Sequence, residues 1–229
     1  MILSFLLSFF LPLIWFYYFY KKDCHPEPIL YLMFALFLGI VGAFLSYFVE
    51  GILINYGFFD SKSATSFLIF SFIEEFFKFL PIFLLIFPLK VFDEPVDAMI
   101  YMMASGFGFA FIENLGYILK TYLEHGDLDT NLVLILRFLS PNLLHILASA
   151  IIGFGYAYLI NTRRLFPFIF AFIVSTILHF IHNFIIISLY GGFLLILPIL
   201  WTIFTIVLSE IYLLETKHER RISTLKPYF

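Results

Sequence analysis

Long apolar stretches separated by short polar breaks run along the whole chain, at residues 2–20, 29–49, 66–87, 96–120, 132–160, 165–190 and 193–214. Each is near or above the roughly 20 residues that an α-helix needs to cross a hydrocarbon core about 30 Å thick. The runs are apolar on every face, whereas a transmembrane barrel would be built from short segments of alternating polarity. The pattern predicts an all-α, polytopic membrane protein of about seven transmembrane helices. No stretch of soluble-domain size interrupts the runs, so residues 1–229 read as a single transmembrane domain ending in a short tail at 215–229.

The breakers refine this outline. Pro81 has no N–H to give the carbonyl of Phe77, which predicts a bend in the third helix and a carbonyl in need of another partner. Pro141 and Pro198 predict similar bends in the fifth and seventh. Small residues cluster at Ala104-Ser105-Gly106-Phe107-Gly108 and at Ala148-Ser149-Ala150 with Gly153 and Gly155. Such clusters let membrane helices approach closely, so the fourth and fifth helices are expected at the centre. The first and seventh carry no ionisable residue in mid-span and are expected at the periphery.

Composition agrees with the pattern: 62% of residues are hydrophobic and 13% charged, and the mean hydropathy is +1.02. The net charge of −3 includes no basic block of the kind that binds nucleic acid. Cys24 is the single cysteine, so no internal disulfide is available. The first run lacks a charged leader and a small-residue cleavage site, and is read as a retained helix.

Orientation follows from the basic residues, which favour cytoplasmic loops. With the N-terminus outside, Lys21, Lys22, Lys90, Arg163, Arg164, Lys217, Arg220, Arg221 and Lys226 all fall inside together with the C-terminal tail. Only Lys62 and Lys120 fall outside.

The polar residues within the spans carry the chemistry. They are Glu74, Glu75 and Lys78 on the third helix, Glu113 and Asn114 on the fourth, His145 on the fifth, and His179, His182 and Asn183 on the sixth. Ionisable groups at such depth cost several kcal/mol and face a protein interior or a watery cavity. At about 1.5 Å of rise per residue they lie roughly 10–20 Å from the outer ends of their helices, so four consecutive helices present them at a compatible level. Glu74 and Lys78, at i and i+4, are expected to pair, and His179 and Asn183 share a face by the same spacing.

This set suits peptide hydrolysis, which needs an activated water, an oxyanion site and a proton for the leaving amine. Glu74 or Glu75 could serve as base and then acid. His145 could orient the water, His179 and Asn183 could donate to the oxyanion, and Lys78 would keep the neighbouring carboxylate ionised. Glu74, Glu113, His145 and His179 also offer ligands for a divalent metal such as zinc, although no His-Glu-x-x-His is present. Buried Glu, Lys and His residues on bent helices equally serve proton-coupled transporters. Against transport stand the lack of an internal repeat and the clustering of these residues on one side of the membrane.

Glu74-Glu75-x-x-Lys78, Gly106-Phe107-Gly108-Phe109-Ala110-Phe111-Ile112-Glu113-Asn114, His145 with its following small residues, and His179-x-x-x-Asn183 occur in this order on successive helices. In them the chain resembles the PrsW-type intramembrane proteases, of a clan that includes the CAAX prenyl endopeptidases. The resemblance covers about the middle half of the chain. It implies a catalytic core from the third to sixth helices, with Glu74 activating water. The clan's second motif commonly reads Phe-x-x-x-His; here it reads Phe109-x-x-x-Glu113, which leaves His145 to supply the imidazole. The resemblance also implies a prokaryotic cytoplasmic membrane and membrane-anchored protein substrates such as anti-sigma factors, cleaved near the outer surface.

Other polar residues read as structural. His182 is expected to bond a backbone carbonyl or an adjacent group, and Arg137 to snorkel to the boundary. Tyr101 and Tyr117 read as interface or packing residues, and Ser149 as packing rather than as a partner of His145.

Overall fold

The structure, a computed structural model, describes residues 10, 13–14, 17–18, 20–21, 25–58, 63–125, 127–188 and 192–225. Its helices are α1 (Ile29–Asn55), α2 (Ala64–Leu85), α3 (Asp97–His125), α4 (Asp127–Leu139), α5 (Pro141–Thr162), α6 (Leu165–Ser188) and α7 (Gly192–Leu225). The described residues contain no strand. Most of the helix expected at 2–20 lies outside them.

Local chemistry sets the ends. The side chain of Ser63 accepts from the Ser66 N–H at 3.1 Å and caps the start of α2. At the end of α1, Gly57 has φ +71°. Its N–H donates to the Ile54 carbonyl and that of Phe58 to the Leu53 carbonyl, each at 3.0 Å. This is a Schellman closure, the left-handed glycine letting the chain turn back on the last carbonyls. It comes six residues later than the expected end at 49, which makes Glu50 part of the helix.

The run expected as one helix over 132–160 is two. Proline disfavours the helical conformation in the residue before it, and Ser140, at φ −129° and ψ −71°, breaks the chain between α4 and α5 just before Pro141. At the other end of the chain, α7 continues through most of the expected tail and stops at Leu225, two residues before Pro227. Nothing in 215–225 is a glycine or proline that would end it sooner.

Among the described residues, five stretches are long and apolar enough to cross a membrane: Ile29–Asn55, Asp97–Glu124, Val133–Thr162, Leu165–Ile186 and Ile196–Leu214. Helix α2, with 22 residues, has the length but carries Glu74, Glu75 and Lys78. All three are buried in protein, which removes the cost of exposing them to lipid.

The expected centre is observed. Helix α3 is packed between α1 and α5, and α6 lies against α5 and α2. Glycine makes these approaches possible. A Cβ on Gly108 would stand 2.0 Å from the Leu36 carbonyl oxygen of α1, and one on Gly39 would stand 2.0 Å from that of Ser105. On the other side of α3, Gly106 abuts the His145 carbonyl and Gly153 the Ala98 carbonyl in the same manner, at 2.6 and 2.4 Å. The Phe77 carbonyl, deprived of its usual donor by Pro81, is covered by Gly42, whose Cβ would fall 2.4 Å from it. Its Cα–H faces that oxygen, a weak but real contact. Helix α2 runs on through Pro81. Helix α7 packs on α5 and α6 at the rim, as expected of the seventh span.

Candidate functional site

Helices α2, α3, α5 and α6 direct their polar residues inward, and a continuous chain of hydrogen bonds joins them. The Lys78 ammonium, fully buried, donates to Glu75 Oε1 at 2.6 Å and to His145 Nδ1 at 2.8 Å. It also lies 4.5 Å from the centre of the Phe109 ring. Glu75 Oε1 takes a second bond from His179 Nδ1 at 2.7 Å. Because a carboxylate and an ammonium leave the imidazoles no choice of role, the tautomers follow from the partners. His179 carries its proton on Nδ1 and turns the Nε2 lone pair toward Glu74. His145 accepts on Nδ1 and donates from Nε2 to Glu113 Oε2 at 2.6 Å. The two imidazole rings meet edge to face with centroids 5.0 Å apart.

The pairing within α2 differs from the expected one. Lys78 bonds Glu75 at i, i+3 rather than Glu74 at i, i+4. Both spacings bring side chains together on a helix, and His179 decides between them by anchoring the Glu75 oxygen that the ammonium shares.

Among Glu74, Glu75 and Glu113, counting charge partners singles out Glu74. Glu75 has Lys78, and Glu113 has Arg137, whose Nη2 donates to its Oε2 at 2.9 Å. Among the described residues Glu74 has no lysine or arginine within ion-pair distance, and its Oε2 is buried without a hydrogen-bond partner in the protein. That oxygen lies 3.5 Å from Nε2 of His179. Glu75 Oε2 also lacks a partner, but Glu75 is sealed at 0% exposure, whereas Glu74 keeps 7%.

The same place suits a metal. Donor atoms of Glu74, His145 and His179 all lie within 4.8 Å of one another; both ring nitrogens of His145 are bonded, to Lys78 and Glu113, so it would ligate only with one of these bonds released. Two ligands about 2.1 Å from a tetrahedral zinc stand about 3.4 Å apart, close to the 3.5 Å between Glu74 Oε2 and His179 Nε2. The Glu75 carboxylate bonded to His179 Nδ1 would serve as the outer partner that orients this imidazole toward an ion. Glu113, expected as a fourth ligand, is outside this group, with its Oε2 taken up by His145 and Arg137.

A cleft of about 240 Å³ leads to the network between α3, α4, α5 and α6; Glu113, Arg137, His145, His182 and Asn183 line it together with Val133, Leu136 and Ile186. Asn183 stands in this cleft and does not bond His179; its Oδ1 accepts from His182 Nδ1 at 3.2 Å. His182 Nε2 then accepts from the Ser140 hydroxyl at 2.8 Å, which ties the α4–α5 break to α6. His182 thus bonds an adjacent group, as expected. Asn114 is buried and accepts from Arg137 Nε at 2.6 Å. Ser149 is buried without a hydrogen bond and packs against Gly106. Tyr101 is buried and donates to Glu27.

Arg137 overturns its sequence reading. It is 7% exposed and bonded inside the protein, with its guanidinium 4.0 Å from the centre of the Tyr117 ring. Two residues of α1 went unread. Glu50 is within electrostatic reach of Glu74 and Glu113, and Tyr47 packs on Phe109 at 6.4 Å between centroids. Glu50 was legible only if the helix was carried past residue 49.

A buried set of carboxylates and imidazoles, reached by a cleft inside a bundle of apolar helices, suits an enzyme that works within the bilayer. Comparison with known proteins gives the family. Residues 27–209 match the family described as "PrsW family intramembrane metalloprotease", and the chain belongs to it. Protease PrsW of Geobacillus kaustophilus (strain HTA426) is 28% identical over 175 residues, spanning 75% of this chain and 74% of that protein. Protease PrsW of Bacillus subtilis (strain 168) is 29% identical over 185 residues, spanning 79% and 81%. That of Oceanobacillus iheyensis is 27% identical over 207 residues, spanning 90% and 91%. No solved structure matches. The chain is therefore a multi-pass membrane peptidase, and the relatives support this over the transporter reading.

Proposed function

We propose that the chain hydrolyses a peptide bond of membrane-anchored proteins with a water activated at Glu74. The observation that carries this reading is the unpartnered Glu74 Oε2, 3.5 Å from the free Nε2 of His179. A single water reaches both atoms at ordinary hydrogen-bond length. Glu74 and His179 would each accept one of its protons, which leaves the oxygen lone pairs free for attack. Glu74 takes a proton as the oxygen adds to the scissile carbonyl, and returns it to the leaving amine. Glu75 and Lys78 hold His179 and His145 in their tautomers. Asn183, at the cleft wall, can donate to the developing oxyanion.

A second reading is favoured by the donor group of Glu74, His145 and His179 and by the family's description as metalloproteases. These three residues would hold a divalent ion such as zinc, with His145 releasing its bond to Lys78 or Glu113 to free a ring nitrogen. Bound there, it would polarise the carbonyl and make the water more acidic. Glu75 would orient His179 in either case.

We place the site in the outer half of a prokaryotic cytoplasmic membrane, in a single domain of about seven spans with the N-terminus outside and the C-terminus inside. The distribution of basic residues supports this orientation. A site at that level suits cleavage of single-span regulators such as anti-sigma factors near the outer surface.

The test is reconstitution of the purified protein in proteoliposomes with a panel of single-span proteins, with products identified by mass spectrometry. Wild type is expected to cut within or beside a span, and His179→Ala to lose at least about 10²-fold in rate. Cleavage undiminished in His179→Ala would overturn the assignment.

A further inference from the structure

Arg137 belongs to α4, a helix of 13 residues. At about 1.5 Å per residue this is some 20 Å, too short to cross a bilayer alone. Its guanidinium is nonetheless fixed in three ways. Nε donates to Asn114 Oδ1 at 2.6 Å and Nη2 donates to Glu113 Oε2 at 2.9 Å, so one edge of the planar group grips two consecutive side chains of α3. Its face lies 4.0 Å from the centre of the Tyr117 ring, one turn further along α3. Lysine offers neither the fork nor the flat face. The oxygen that Arg137 holds is also the one that accepts from His145 Nε2. His145 is thereby kept protonated on Nε2, with Nδ1 left to Lys78.

We infer that Arg137 is a positioning residue for the hydrolytic site, which acts through Glu113 to set the ring orientation and tautomer of His145. The inference rests on the proposed proteolysis for its kinetic consequence but not for its structural one. Arg137 comes from α4, outside the motifs of α2, α3, α5 and α6, so the docking of α4 on α3 completes the site. Outer partners of this kind are worth about 10–100-fold in activity.

The test is a double-mutant cycle on the full chain in detergent micelles, with cleavage kinetics, thermal unfolding and ¹⁵N-histidine NMR of each variant. Arg137→Met and Glu113→Gln are each expected to lower kcat by about 10–100-fold with KM within a factor of about 3, and the double variant to be no worse than either. Arg137→Lys, which keeps the buried charge, is expected to stay folded and still lose rate. In both Arg137 variants the His145 Nε2–H resonance is expected to shift or vanish. Multiplied losses in the double variant, or a His145 resonance unchanged in Arg137→Lys, would overturn the inference. Should the wild type cleave none of the substrates, the proteolysis proposal fails, while the NMR comparison still decides the role of Arg137.

Discussion

His179 Nδ1 lies 2.7 Å from Glu75 Oε1, the same oxygen that Lys78 approaches to 2.6 Å. One carboxylate oxygen thus orients an imidazole on α6 and neutralises an ammonium on its own helix. The adjacent glutamates consequently differ, Glu75 locked in the network and Glu74 left with an unpartnered oxygen.

Removing Glu75 should therefore unfold rather than merely inactivate. Glu75→Ala strands the buried Lys78 charge, and loss of one partner of a buried pair costs about 3–5 kcal/mol. Its unfolding midpoint in detergent is expected to fall well below that of the wild type. Adding Lys78→Met should restore most of the midpoint without restoring cleavage, because His179 still lacks its anchor.

The glycines of α3 give a contrast independent of the chemistry. Gly108→Ala drives a Cβ into the Leu36 carbonyl, and overpacking of this kind costs about 1–3 kcal/mol. Gly116→Ala, on the same helix, meets nothing within 4 Å. It should be neutral or stabilising by up to about 1 kcal/mol, since alanine is the better helix former. Thermal unfolding of the two variants side by side checks the α1–α3 crossing.

The two histidines of α6 should separate by role. His179 faces Glu74 and Glu75, whereas His182 joins Ser140 to Asn183. His182→Ala is expected to lose a hydrogen-bond tie worth about 1–3 kcal/mol in stability, with a rate change of less than about tenfold. The much larger loss expected for His179→Ala, in the same cleavage assay, marks the difference.

Metal binding can be read without activity. The donor group predicts one divalent ion per chain, measured by elemental analysis of protein purified in zinc and by its loss to a chelator. Glu74→Ala and His179→Ala should lose the ion. Glu113→Gln should keep it, because Glu113 lies outside the donor group.

Much of this was legible in the sequence because a membrane makes polarity conspicuous. The helices announced themselves by apolar length, and the small residues of α3 and α5 marked the centre. Glu74, Glu75, Glu113, His145 and His179 stood out by their cost in lipid. What stayed hidden depended on partners. Spacing alone allowed Lys78 to reach either glutamate, and only His179, from another helix, decides it. Arg137 sat near an expected boundary, where an arginine usually snorkels, and its burial depends on where α4 docks. Glu50 was lost to a helix end drawn before the glycine that closes it.

The most direct measurement of the central claim is the single-turnover cleavage rate of Glu74→Gln in proteoliposomes, beside a wild-type control of equal unfolding midpoint. Glutamine keeps the shape of the side chain but gives up the carboxylate. A fall of at least about 10³-fold with the fold intact is the predicted result. A rate within about threefold of wild type would contradict Glu74 as the group that activates the water.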